Sequence, residues 1–527
     1  MTLKRRLITI LVIALCAGGI YGVGRLGITV RQNDETEIDD DSIFGHRETL
    51  YLWYTDEALT DYLNSVAVSY SEYQSDVRVI PVYTSGREYL ETINQASVNT
   101  DEVPDMYITS NDSLEKAYLA GLASEVRLPE GVLSMEETFP ETAISAVTYH
   151  DKQIAYPFYF ETSCFLYNET YLADWARAQL EAETDAVMAE EALEQLENGE
   201  EPEETISSES AEEAVQAGLI SEEAVEERVS QTLPKTIDDI RAFGDEYDAP
   251  EQVEAVFKWD VSDIFYNYFF VGDSIDVGGK NGDSADSIHI YNEDAIRCLR
   301  VYQNLNQFFS IDTKEISYDG ILQDFIDGKI VYTVATTDAL SKIENAKAEG
   351  EFEYEYGISM MPDVSEELSS ASLSVTQCVV INGYSVKKDM ANDFGVYLTE
   401  YATDTLFART GKLPVCDNGD TYADPNKEAF LQEYMCSIPM PKMIETSNFW
   451  VELEIAFAKI WDGEDANIDL KVLSEKIMSQ VVGEEYTEQY LDVPADVPEE
   501  EYEDMEMTDE DSEGEEDAES KDSETQE

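Results

Sequence analysis

Asp151-Lys-Gln-Ile-Ala-Tyr-Pro-Phe-Tyr-Phe-Glu-Thr-Ser-Cys-Phe-Leu-Tyr-Asn168 is mostly apolar and aromatic, and beyond its first residue it carries one carboxylate, Glu161. Short apolar runs rich in aromatic and β-branched residues read as buried strands. Tyr156-Pro157 reads as the end of one run, because proline cannot donate to a strand ladder. Glu161 reads as the start of the next. The stretch is expected to be strand, crossover, strand, with one acidic group presented where the chain passes between two parts of the molecule.

The surrounding sequence alternates strand and helix patterns. Residues 49–54, 77–82 and 105–109 read as strands. Between the first two, Leu59, Tyr62, Leu63, Val66 and Tyr70 form one helical stripe. Ser85-Gly-Arg-Glu88 and Asp112-Ser-Leu-Glu115 match the capping box that opens a helix, and Gly121 matches a helix end. Such alternation implies a parallel sheet covered on both faces, with ligands gathering at the carboxyl ends of strands. Residues 54–56 and 109–112 fall at such ends. Further strands are expected at 328–335, 356–361 and 378–382, a helix N-cap at Thr236, and an amphipathic helix over 449–461.

The 527 residues suffice for two compact lobes. Their 33 Lys+Arg against 114 Asp+Glu give a net charge of -81, which argues against a nucleic-acid partner, since phosphate binding needs a basic surface. Residues 173–232 are rich in Glu and Ala and read as an inserted acidic helical hairpin. Residues 494–527 are too polar to offset their ordering entropy and read as a disordered acidic tail. The six cysteines form no CxxC or Cys/His cluster, so no zinc site and no other metal site is expected. Five of them read mostly as buried thiols, with a Cys416–Cys436 bridge left open.

At the start, Lys4-Arg5-Arg6 precedes an uncharged run over 7–24, a targeting segment that places the remainder outside the cytoplasm. Residues 1–30 are thus a signal or anchor, and 31–47 an acidic linker. Retention as a membrane helix, lipidation at Cys16 and cleavage to a secreted protein are alternatives. Gly22-Val-Gly-Arg-Leu-Gly27 matches GxGxxG but has no βα unit around it, so no dinucleotide or other cofactor is expected.

Several motifs resemble one family in chain order. These are Leu50-Tyr-Leu-Trp53, Asp105-Met-Tyr-Ile108, Ile154-Ala-Tyr-Pro157 with Leu166-Tyr-Asn168, Leu233-Pro-Lys-Thr236, Tyr356-Gly-Ile358, Gly411-Lys-Leu-Pro-Val415 and Ser447-Asn-Phe-Trp450. Together they resemble the extracellular solute-binding proteins of ABC importers, of the maltose-binding type. The resemblance implies an α/β, two-lobed periplasmic-binding-protein-like fold with hinge crossings and a ligand cleft. Lobe one would comprise 48–158 and 370–415, lobe two 159–362 and 420–487. It further implies a monomer on the outer face of the cell membrane that captures a carbohydrate, performs no chemistry on it and docks on ABC permease subunits. A membrane-anchored sugar sensor or scaffold is the alternative, and a glycoside-acting enzyme a weaker one, because no catalytic motif surrounds the three histidines.

By the same resemblance, ligand contacts fall on Asp56, Thr109, Asp112, Glu161, Trp259, Asp260, Tyr266, Asp338, Trp450 and Glu454. A carboxylate at Glu161 can accept two hydroxyl hydrogen bonds, and the Trp450 indole suits the apolar face of a sugar ring. Asp112 is equally explained as a helix cap, and Trp450 as core packing. Thr109 and Asp338 stand where the family's maltodextrin binders carry aromatics, and Glu57 and Glu454 where basic groups are expected. The cleft is therefore expected to be acidic, suiting neutral, amino or cationic solutes and disfavouring uronates and phosphosugars.

Overall fold

The computed structural model describes residues 47–99, 103–197, 220–309, 311, 316–416 and 421–494. The targeting segment, the acidic linker up to residue 46 and the tail from 495 lie outside the described residues. Among those described, no helix is long and apolar enough to cross a membrane. From residue 49 on, the described residues form one compact unit.

Ten strands build one mixed sheet: β1 Glu48–Tyr54, β2 Val77–Tyr83, β3 Met106–Ser110, β4 Tyr156–Asn168, β5 Ala255–Phe257, β6 Ile330–Thr336, β7 Tyr356–Ser359, β8 Leu373–Ile381, β9 Leu413–Pro414 and β10 Ile438–Pro439. The main order is β2-β1-β3-β8-β4-β6-β5, with β9 and β7 also on β4 and β10 on β8. β1 and β3 run parallel, as do β5 and β6, as the strand-helix alternation implies. β8, however, is antiparallel to β3 and to β4, because it returns the chain from the opposite half of the sheet.

Within the opening stretch, Lys152–Gln153 pairs with Thr148–Tyr149 in a small separate hairpin, and Tyr156–Asn168 is one continuous strand of 13 residues, not strand, crossover, strand. Its first half pairs with β8, up to Ser374 opposite Thr162. Its second half pairs with β6, from Ser163 opposite Thr336. Pro157 does not end the strand, because the register shifts between Gln377 and Cys378 of β8 and leaves Phe158 as an extra residue on β4. A bulge is where a central strand tolerates proline. Glu161 therefore sits in mid-strand, at the handover from one set of partners to the other.

The helix Thr60–Tyr73 buries Tyr62, Leu63, Val66 and Tyr70, four of the expected stripe, and Leu59 is buried in the turn before it. The helix Phe449–Trp461 has the expected bounds. Thr236 caps the helix Ile237–Glu246 in a reciprocal box with Asp239. The two other boxes do not form. Glu88 adopts a left-handed backbone (φ 52°) just before the helix Tyr89–Asn99. Asp112 lies inside the 3-10 turn Asn111–Ser113 and accepts from the Ser110 hydroxyl instead of capping a helix. The acidic stretch supplies the helices Glu169–Glu197 and Glu222–Thr232, tied by Arg177–Glu222 (3.3 Å) and Arg228–Glu183 (2.8 Å). Residues 198–219 between them lie outside the described residues. No disulfide joins Cys416 to Cys436.

Buried side chains gather in two clusters that meet along β4. The first includes Leu50, Tyr62, Phe158, Phe160, Cys164, Leu166 and Val380. The second includes Phe165, Trp259, Phe270, Tyr302, Phe457 and Trp461. Cys164 and Leu166 face one way and Phe165 the other, because successive strand residues point to opposite faces. Ile321 and Phe325, from the helix Tyr318–Ile326, and Tyr356 join the first cluster, although the sequence pattern allots them to the second lobe.

A buried lysine ties the helix Glu141–Val147 to a glycine-rich loop at 278–284. Lys442 is 1% exposed, and its Nζ donates to the Ser145 carbonyl (2.8 Å) and to the Asn281 carbonyl. Its own N–H donates to the Gly282 carbonyl (2.8 Å). Gly282 is required there: its φ is +63°, and a Cβ would lie 2.7 Å from the Pro441 Cα. Burial pulls the Lys442 ammonium down to a pKa of about 8, against the opposing pull of Asp283, Cys378 and Glu115.

Candidate functional site

Four separate segments bring expected ligand contacts into one cleft of about 680 Å³. Glu161 comes from the middle of β4, Tyr266 from the short helix Ile264–Asn267, Asp338 from the start of the helix Asp338–Glu349 after β6, and Trp450 from the first turn of Phe449–Trp461. The volume falls within the roughly 300–1,000 Å³ of small-ligand clefts.

One wall centres on Lys412, just before β9. Its Nζ lies 3.0 Å from Glu161 Oε1 and 3.3 Å from Asp56 Oδ2. Asp56 follows β1, and its other oxygen accepts from the Ala58 N–H (3.0 Å), capping the turn Glu57–Leu59. The Tyr159 ring lies 5.6 Å from the ammonium. Burial lowers the Lys412 pKa, but Glu161 and Asp56 outweigh it and hold the group above the ordinary lysine range.

The other wall centres on Asp338. Its Oδ1 accepts from Tyr318 (2.7 Å) and Thr336 (2.6 Å), and its Oδ2 pairs with Lys342 (2.8 Å). Burial would raise this carboxyl, but the hydrogen bonds from Lys342, Thr336 and Tyr318 more than offset it and hold the pKa below the usual range. Tyr266 stacks on Tyr318 with ring centroids 4.8 Å apart and planes at 14°. Lys342 lies 4.9 Å from the Tyr318 ring. Trp450 is half-buried, edge-on to Tyr268 at 5.3 Å.

Six of the ten expected contacts do not line this cleft. Asp56 stands behind Lys412, and the other five lie elsewhere. Trp259 is fully buried in the core, stacked on Phe257 at 4.6 Å, with its indole N–H given to Asn267 Oδ1 (2.9 Å). Asn267 in turn donates to the Asp263 carbonyl (2.9 Å), so Trp259 braces the loop that carries Tyr266. Asp260 is buried and closes a turn by accepting from the Ser262 N–H (3.0 Å) and hydroxyl (2.6 Å). Glu454 is exposed and accepts from the Ile264 N–H; burial and then the nearby Asp263 charge raise its pKa. These three therefore support the 259–267 loop from behind. Thr109 is half-buried at the end of β3, opposite Cys378, and Asp112 is exposed beside it.

Sequence reading missed Lys412, Lys342 and Tyr318. Lys412 stood inside a quoted motif, but a sequence does not display which carboxylates a lysine will meet. The cleft is consequently less acidic than expected. A second cavity of about 450 Å³ is lined by Lys258, Asp324 and Lys329, and none of the expected contacts faces it. Among the described residues, no three His, Cys, Asp or Glu side chains are grouped to hold a metal ion.

The fold is similar to that of several solved structures. A cyclo/maltodextrin-binding protein complexed with maltotetraose matches with a TM-score of 0.61 and 16% identity, over 84% of this chain and 99% of that one. The maltose-binding periplasmic protein MalE from Listeria monocytogenes, in complex with maltose, matches with a TM-score of 0.61 and 19% identity, over 84% and 100%. MalX from Streptococcus pneumoniae, in complex with maltopentaose, matches with a TM-score of 0.55 and 17% identity, over 82% and 99%. Among curated proteins, none matches the chain's sequence. The sequence profile of one family, the bacterial extracellular solute-binding proteins, matches residues 66–427. The chain belongs to that family, whose members work outside the cytoplasm, as extracellular or periplasmic proteins.

Proposed function

We propose that this protein is the substrate-binding subunit of an ABC importer, and that it captures a carbohydrate between two closing lobes without altering it. The observation that carries this reading is the convergence of Glu161, Tyr266, Asp338 and Trp450, from four distant segments, on one cleft. Carboxylates accept hydroxyl hydrogen bonds strongly, and aromatic faces pack against the C–H faces of sugar rings. The structurally similar maltose and maltodextrin binders support the same ligand class. Two lobes, joined at β4 and at the segments around β8 and β10, would close over the ligand by rigid rotation about these crossings.

Capture rather than catalysis fits the state of the acidic groups. Glu161 and Asp338 each share a lysine with a second carboxylate, and neither His150 nor His289 lines the cleft. The closed monomer would dock on membrane permease subunits, held near them by an N-terminal helix or lipid. A thermal-shift screen of mono- and oligosaccharides tests the reading. A sugar that binds only the folded form raises the melting temperature by mass action, by about 2.7 kcal/mol of stability at one hundred times Kd. A complete sugar panel without effect refutes it.

A further inference from the structure

Both lysines of the cleft are already paired, and in the same manner. Lys412 lies between Glu161 (3.0 Å) and Asp56 (3.3 Å), and Lys342 lies between Asp319 (2.7 Å) and Asp338 (2.8 Å). Each wall thus presents an ammonium held by two carboxylates. Lys342 also has the Tyr318 ring against it, and its partner Asp338 is saturated by Tyr318 and Thr336. The Lys412 triad is the less committed of the two. An ammonium has three donors, of which two go to the carboxylates; Asp56 also takes the Ala58 N–H and the Tyr159 hydroxyl, so the larger reserve of lone pairs lies on Glu161, which lines the cleft. What remains free is one donor flanked by acceptors, the pattern that a pair of neighbouring hydroxyls matches.

We infer that Lys412 is the specificity-determining residue of the cleft: by holding Asp56 and Glu161 it reserves them for the hydroxyls of an uncharged sugar and turns away aminated and acidic ones. This rests on the carbohydrate reading above and deepens it. An amino sugar must compete for Asp56 and Glu161 with an ammonium tethered beside them. If it wins, it leaves a half-buried lysine without partners, which is costly. An acidic sugar finds no uncommitted cation and meets Asp263 and Asp319 on the opposite lining. A neutral polyol displaces nothing.

The test is calorimetric binding of di- to tetrasaccharides of glucose, galactose and xylose, each beside its 2-amino and uronic acid counterparts. The proteins are the wild type, Lys412→Met and Lys412→Arg, with Lys412→Gln as a second neutral variant should the methionine protein not fold. The wild type is expected to bind a neutral sugar at least about tenfold tighter than either charged counterpart. Lys412→Met, or Lys412→Gln in its place, is expected to bind that neutral sugar about tenfold more weakly and the aminated one as tightly or more so. Lys412→Arg, which keeps the charge, is expected to recover the neutral preference lost in the neutral variants. Preference of the wild type for an aminated or acidic sugar overturns the inference but leaves the carbohydrate reading standing. So does an unchanged order of preference in a folded neutral variant. If no sugar of any charge binds the wild type, both fall.

Discussion

Replacing Lys442 by methionine removes an ammonium that folding has taken out of water at a calculable cost. An ordinary lysine pKa of 10.5 falls here to about 8, chiefly through burial. That fall is worth about 3 kcal/mol of bias against the charged form. Because the folded-state pKa is the lower one, the unfolded chain holds more protons between pH 8 and 10.5, and stability rises with pH there. Integrated from about pH 7.5 to 9.5, the Lys442 contribution should grow by roughly 2 kcal/mol. Urea unfolding followed by tryptophan fluorescence measures it, with the wild type and Lys442→Met compared at each pH so that other titrations cancel. The buried tyrosines, whose pKa values are raised by burial, titrate towards pH 10 in the unfolded chain of both proteins alike, so their effect cancels in the difference. The wild-type curve should gain on the methionine variant as pH rises. Parallel curves, or a wild type that loses ground, would refute the assignment of Lys442 as a buried and depressed ammonium.

Trp450→Ala should weaken sugar binding by about 1–2 kcal/mol, close to tenfold, through loss of ring stacking; calorimetry showing unaltered affinity removes Trp450 from the site. Trp259→Ala should destabilise the fold by about 3–5 kcal/mol, because it empties a core position and orphans Asn267; a near-normal urea midpoint would contradict its burial. Asp338→Asn should be less stable than the wild type above the unfolded aspartate pKa of 3.8, where the wild-type carboxylate keeps its lysine. The wild type should lose that advantage as pH falls through its lowered folded value, so thermal melts of the two should converge in acid, and a gap that persists there would count against the Asp338–Lys342 pair.

Periodic features were legible in the sequence because they depend on local repetition. The stripe from Leu59 to Tyr70, the Thr236 cap and the bounds of Phe449–Trp461 all emerged from spacing alone. The continuity of β4 did not, since a bulge opposite Gln377 and Cys378 makes room for Pro157 and depends on a strand far along the chain. The boxes at Ser85 and Asp112 have the right letters, but the backbone turns differently at Glu88 and at Asn111. In the cleft, Glu161, Tyr266, Asp338 and Trp450 were identified, and the lysines that neutralise two of them were not. Pairing is a property of three-dimensional neighbours, and Lys412 lies 251 positions from Glu161. Trp259, Asp260 and Glu454 fell in the right region but on the wrong side of a loop, a distinction of orientation that residue type does not encode.

The shared strand β4 also governs how the chain assembles. The Thr162 hydroxyl must find the Leu373 carbonyl, 211 residues downstream, before the middle of the sheet can close. Contacts of such separation bear a large loop-closure entropy ahead of any reward, which slows folding. While the C-terminal portion is still missing, Tyr156–Asn168 has neither β8 nor β6 to pair with. A nascent chain so organised cannot close the middle of its sheet until Ile381 of its 527 residues has been made.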